Sequence, residues 1–264
     1  MDWATTVSSL KTDGIDYNVI LKEIEEEKIQ AQSRMQPEIA NEWWSRWAVV
    51  TIHQRFTKVY DLLSNSKFYE AWCEAEQVEI ILKDLLRNFP DMYSTVRELH
   101  TCIHNLQSLY PYKLFCSHVI HIKQEVCSIC GQQRSVRHFC GHRTGYVYNG
   151  EICHNIVTDF ELKGVDIVLN PANKYSVLFT QGSDGNRQDN YDYTLLKGLM
   201  SAWKKPFQRW TYKIDIQYKS PASFPGITDS SFCPCASGLS YSECCKNNPE
   251  GIKHKCYTII MGKE

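Results

Sequence analysis

Cysteine placement constrains this chain more than any other feature. Of twelve cysteines in 264 residues, seven fall into two clusters, Cys127/Cys130/Cys140 and Cys233/Cys235/Cys244/Cys245. In an oxidising compartment such clusters form disulfide frameworks; in a reducing one they bind metal. The first residues, MDWATTVSSLKTDG, lack a basic stretch followed by an apolar core, so no secretory signal is expected. No apolar run approaches the roughly 20 residues that span a bilayer. The expected setting is cytoplasmic, and the clusters are expected to hold metal.

In the central cluster, Cys127-x2-Cys130-Gly131 reads as a zinc knuckle. Its tight turn points two thiolates at one ion, and Gly131 lets the backbone pass beneath the metal. Cys140, His142 and Cys153 follow. Structural zinc takes four ligands, one fewer than the five candidates here. The expected set is Cys127, Cys130, Cys140 and His142, with Cys153 as substitute if Cys140 or His142 faces away. His138 and His154 read as surface histidines. Cys73, Cys102 and Cys116 read as small buried apolar residues, and Cys256 stays open.

The C-terminal cluster runs Cys233-Pro234-Cys235-Ala236-Ser237-Gly238, then Cys244-Cys245. So short a segment buries too little apolar surface to fold alone, and metal ligation would supply the missing free energy. Adjacent cysteines are poor partners for two separate disulfides but can share one ion. Four protein ligands leave no position for water, which makes the expected role structural.

This stretch resembles the SEC-C motif, C-x-C-x-S-G…x-C-[CH], named for the zinc tail of the SecA translocation ATPases. The resemblance covers about 20 residues and implies that Cys233, Cys235, Cys244 and Cys245 are zinc ligands. Ala236 departs from the usual glycine, which leaves the turn after Cys235 less free. In SecA the tail engages a chaperone and the ribosome, so the resemblance implies recognition by residues 233–250, followed here by Lys253, His254 and Lys255. Residues 110–250 are also similar, through CSICG, CGHRTGYVYNGEIC and NPANKYSVLF, to uncharacterised bacterial SEC-C motif proteins. That similarity implies a shared architecture and brings no assigned activity.

The rest of the chain predicts an α+β protein. Residues 1–110 read as an antiparallel helical bundle with four amphipathic helices. Their apolar sets include Tyr17, Leu21 and Ile24; Trp43, Trp47, Val50, Val59 and Leu63; and Trp72, Val78, Ile81, Leu82 and Leu85. Asn65 or Ser66 is placed to cap the third helix, and Pro90 to open the fourth. Residues 111–218 read as a zinc-stapled β-rich domain. Its strands are KLFCSHVIHIKQEV, VDIVLN, YSVLFT and WTYKIDIQYK, with a hairpin at Asn149-Gly150 and a helix in YDYTLLKGLMSAWKK. Residues 219–264 read as a Pro/Ser/Gly-rich linker and a small zinc knuckle.

Catalytic signals are few. Arg97 and His104 on the fourth helix resemble the R-x(4–6)-H signature of HEPN-type ribonucleases. That resemblance implies phosphate stabilisation by Arg97 and proton transfer by His104. Glu98 departs from the pattern and would repel phosphate. The chain has no P-loop, dinucleotide-binding glycine loop or H-E-x-x-H, and Cys127-Ser128-Ile129-Cys130 lacks the proline and the His-x-Glu of a deaminase. Asp184, Asp189 and Asp192 read as solvated loop residues. With a net charge of −1, no broad polycationic surface is expected. Lys204, Lys205, Arg209 and Lys213, interleaved with Trp203, Phe207, Trp210 and Tyr212, are the one local candidate for contacting nucleic acid, against the alternative of an ordinary helix-to-strand junction. The leading expectation is a cytoplasmic, non-catalytic adaptor with two structural zinc ions that recognises a protein or ribonucleoprotein partner. The alternative is a metal-independent ribonuclease or toxin-type effector using Arg97 and His104, with a place in bacterial anti-phage defence.

Overall fold

The computed structural model describes residues 2–12, 14–135, 137 and 139–262. It divides into two compact units, Met1–Phe207 and Gln208–Glu264. Both helices and small antiparallel sheets are present, as an α+β class requires.

The first unit opens with a short helix α1 (Trp3–Ser9), followed by α2 (Tyr17–Ser33), α3 (Pro37–Ser64), α4 (Phe68–Asn88) and α5 (Tyr93–Leu109). Asp16 caps α2 by accepting from the amides of Asn18 and Val19, which satisfies donors no helical carbonyl can reach. Pro37 begins α3, where its missing N–H costs nothing. Residues 34–36 alone link α2 to α3, and 65–67 alone link α3 to α4, so the chain reverses sharply and neighbours pack antiparallel. Met35 (φ 54°) and Ser66 (φ 57°) make the reversals in the left-handed region. Ser66 was the expected cap of α4, as was Asn65. Instead Asn65 is the C-cap of α3 and Ser66 lies just beyond it, while Lys67 occupies the N-cap of α4 without a side-chain bond.

Helix α3 packs against α2, α4 and α5. It therefore buries Trp44, Ala48, Val49, Val50, Ile52, Phe56, Val59 and Leu63 around much of its circumference. Of the three clustered tryptophans Trp44 is in the core, while Trp43 and Trp47, expected on the apolar face, are half-buried.

After the bundle, β1 (Phe115–Cys127) and β4 (Asn155–Val168) form a long antiparallel ribbon, with β2 (Val147–Tyr148) and β3 (Glu151–Ile152) a hairpin between them. Asn149 (φ 50°) and Gly150 (φ 79°) make the expected tight turn. VDIVLN proves to be the end of the longer β4. YSVLFT, expected as a strand, contributes a Val177–Phe115 bridge, and its last residue, Thr180, opens a short strand; Phe179 packs its ring edge-on to Tyr69 and Tyr112. A small pair, β5 (Thr180–Gln181) and β6 (Arg187–Gln188), precedes α6 (Thr194–Ala202).

In the second unit, β7 (Trp210–Lys219) pairs antiparallel with β8 (Ile252–Met261), from Trp210↔Met261 to Lys219↔Ile252. The boundary expected between residues 218 and 219 thus falls inside a strand. Residues 1–110 and the central cysteines share one unit, and the expected linker forms part of the loop joining β7 to β8.

Candidate metal centres

At the first centre, β1 ends on Cys127, opposite Asn155 at the start of β4. The chain turns tightly there: Gly131 N–H donates to Cys127 O at 2.8 Å and Cys127 N–H to Gln132 O at 2.9 Å. Gly131 has φ 70°, the conformation its place in the knuckle requires. Ligand atoms of Cys127, Cys130, Cys140 and His142 all lie within 4.8 Å of one another and could hold a metal ion. Sulfurs bound tetrahedrally at ~2.3 Å from one ion stand ~3.8 Å apart, so this spacing fits a common ion.

His142 Nδ1 is buried without a hydrogen-bond partner, a costly state that a metal bond would relieve. Burial raises the Cys127 thiol, but the Cys130 and Ile129 amides and the Arg134 guanidinium outweigh it and bring it to about 5. Cys127 is thus the thiolate that can begin ligation, since thiolates and not thiols bind metal. The substitute, Cys153, is fully buried, with its sulfur 3.8 Å from that of Cys127. Arg134 donates to that sulfur at 3.0 Å and to the His142 carbonyl at 3.0 Å. Cys153 borders the site and is not in the four-residue group. His154 is exposed, as expected; His138 lies outside the described residues.

The bundle grips this segment through residues that carry no motif. Asn88 Nδ2 donates to Gly145 O at 2.9 Å, and Asn88 Oδ1 accepts from Val147 N–H at 3.0 Å. Asn41 Oδ1 accepts from Gly150 N–H at 2.7 Å, and Lys28 pairs with Glu151 at 3.0 Å. An isolated asparagine on a helix gives no sequence signal for such a role.

At the second centre, ligand atoms of Cys233, Cys235, Cys244 and Cys245 lie within 4.8 Å of one another and could hold a second ion. The Cys235 and Cys244 sulfurs are 3.4 Å apart, and those of Cys244 and Cys245 3.7 Å. Cys233 N–H donates to Leu239 O at 2.8 Å and Ala236 N–H to Cys233 O at 3.0 Å. Ala236 adopts φ 62°, the left-handed conformation that the motif's usual glycine would take without strain. Tyr241 and Ile252 form the local core with Cys233 and Cys245.

Ser237 leads the effects that bring the Cys235 thiol down to about 6, and it also donates to the Cys244 sulfur at 3.2 Å. The Lys253 amide lowers Cys245, yet burial and the neighbouring thiols outweigh it and push that thiol up to about 12. Four crowded thiols cannot all ionise unless a cation is present, so metal uptake must release protons. A cleft of about 350 Å³ adjoins the site, lined by Tyr218, Lys253 and Lys255 beside the cysteines.

None of the twelve cysteines is in a disulfide. Cys73, Cys102, Cys116 and Cys256 are half-buried. Arg97 and His104 are both exposed on α5, and among the described residues neither side chain has a partner that would position it. Glu98 pairs with Lys11 at 2.9 Å. The aromatic residues of the expected basic-aromatic stretch are largely core. Trp203 is 1% exposed and meets Phe56 and Tyr60, Phe207 meets His53 and Phe56, and Trp210 is 6% exposed.

No helix among the described residues is long and apolar enough to cross a membrane. Comparison with protein-family models, curated proteins and solved structures finds no match to this chain.

Proposed function

We propose that this is a cytoplasmic zinc-binding adaptor that recognises a protein or ribonucleoprotein partner through its C-terminal knuckle. The observation that carries this reading is the gathering of two four-donor groups, each with its ligand atoms within 4.8 Å, from the short segments 127–142 and 233–245. Thiolate-rich, four-coordinate sites suit zinc best among common ions. Cys127, Cys130, Cys140 and His142 would hold one ion, and Cys233, Cys235, Cys244 and Cys245 the other. With four protein donors each, the ions would be structural, and the chemistry they supply is cross-linking of the chain. The SEC-C resemblance supports recognition by the knuckle, and the exposed Phe232 and Leu239 beside its ligands offer a contact surface.

Protein purified without chelator should carry two equivalents of zinc, and Cys244→Ser/Cys245→Ser should carry one. Capture of partners by native protein, followed by mass spectrometry, should lose its specific partner in that variant while the first unit stays folded. A metal content near zero, or a partner retained by the variant, would reject the reading. The adaptor reading also expects His104→Ala to be silent, whereas relief of expression toxicity by that change would favour the ribonuclease alternative.

A further inference from the structure

The β1–β4 ribbon has two unlike faces. Directly paired residues share a face, and His118↔Val165, Ile120↔Leu162, Ile122↔Phe160 and Cys116↔Ile167 fall on one of them. The opposite face carries Ser117↔Asp166 and His121↔Glu161, with Lys123 and Lys163 both paired to Glu161. Antiparallel sheets ordinarily cover their apolar face and wet the polar one. Here the apolar face is open: Ile120 is 43% exposed, Phe160, Leu162 and Val165 each 56%, and Ile167 64%. A two-stranded ribbon is marginal by itself, and an apolar patch this extensive marks an interaction surface.

We infer that a second copy of this chain covers that face, ribbon against ribbon about a two-fold axis. The inference is independent of what the C-terminal knuckle recognises. Charge argues for it first. Lys123, Glu161, Lys163 and Asp166 belong to the polar side or pair with it, Glu125 and Asp159 lie beyond the patch toward Cys127, and His118 is the one imidazole on the apolar face, so the patch suits a largely apolar partner. Nucleic acid and acidic peptides do not meet that requirement, and an identical face does. Area argues for it next. The exposed apolar residues offer roughly 600 Å² per copy, about 1,200 Å² for the pair, which reaches the lower end of specific interfaces. Geometry is also suitable, because two ribbon faces pack ~10 Å apart as in ordinary sheet sandwiches. A two-fold axis then makes one patch complementary to itself.

Sedimentation equilibrium of the full metal-loaded chain tests the inference. The wild type should approach twice the chain mass. Phe160→Lys and Leu162→Lys should each weaken self-association at least about tenfold. Asp166→Lys, on the polar face, should leave it unchanged. Circular dichroism and metal content should be unaltered in all three, since these side chains are already exposed. A monomeric wild type would overturn the inference whatever else covers the face. So would a dimer indifferent to the two apolar-face substitutions, or one equally sensitive to Asp166→Lys.

Discussion

Replacing Ala236 with glycine should tighten the C-terminal metal site. Ala236 stands at φ 62°, where a residue with a Cβ lies about 1–2 kcal/mol above its right-handed conformation. It cannot relax. Its amide donates to Cys233 O at 3.0 Å, and the same turn brings Cys235 to within 3.4 Å of Cys244. Glycine removes the strain but adds unfolded-chain freedom worth about 0.5–1 kcal/mol. The net gain is about 0.5–1 kcal/mol, or a two- to fivefold change in an equilibrium constant. Because folding of the knuckle is coupled to ligation, that gain should appear as a lower metal dissociation constant at this site alone. Competition with a chromophoric chelator would read it, with the first centre as internal reference. Gly238→Ala is the reciprocal experiment. Gly238 has φ 82° and nothing within 4 Å of an added Cβ, so only backbone strain is introduced and affinity should fall two- to fivefold by the same balance. Unchanged or weaker binding by Ala236→Gly would refute the argument that strain at residue 236 limits the site.

Asn88→Ala removes the Asn88 bonds to Gly145 and Val147 and leaves Gly145 O held to α4 by Arg87 alone, at 3.2 Å. It should cost about 1–3 kcal/mol in denaturant unfolding and hasten metal loss from the first centre only. His53 is 1% exposed, with Nδ1–H donating to Val49 O at 2.8 Å; burial foremost holds its pKa down to about 4. The unfolded chain therefore binds the extra proton first. The stabilisation is complete above pH ~6.5 and is lost as pH falls toward 4, by about 3 kcal/mol. His53→Gln, which keeps a donor to Val49, should flatten that part of the pH–stability curve relative to wild type. Chelation should render residues 228–248 sensitive to protease while α2–α5 remain resistant, as limited proteolysis with mass spectrometry would show.

Both metal groups were legible because ligand chemistry is carried by residue type and spacing, and Cys and His are too few for many false groupings. Helices α2 to α5 were legible from their apolar period, but the phase of α3 was not. A helix packed by three others buries residues around much of its surface, so the period cannot distinguish Trp43 and Trp47 from Trp44. The long ribbon was partly legible, since β-branched residues marked β1 and the end of β4. Its open apolar face was not, because alternation alone does not say which face is covered.

Besides the two-residue β6, inside what read as a polar loop, the strand that escaped was the long β8. Its sequence, IKHKCYTIIM, starts with the basic run that reads as a polar tail to the knuckle. Nothing local identifies its partner, because residues 220–251 intervene between β7 and β8. A loop of that length has no turn signature, and closing it costs more entropy than a tight hairpin does. An ion held by Cys233, Cys235, Cys244 and Cys245 would meet that cost in place of turn residues. Where the ribbon closes at Lys219↔Ile252, Ile252 is fully buried against Cys233 and Cys245. Gly251, at φ 101°, passes so close to Lys219 that a Cβ would lie 2.6 Å from its carbonyl oxygen. Ligation and strand pairing would therefore stabilise one another, and the cysteines read as a separate knuckle lie in the loop of a hairpin whose closure an ion there would reinforce.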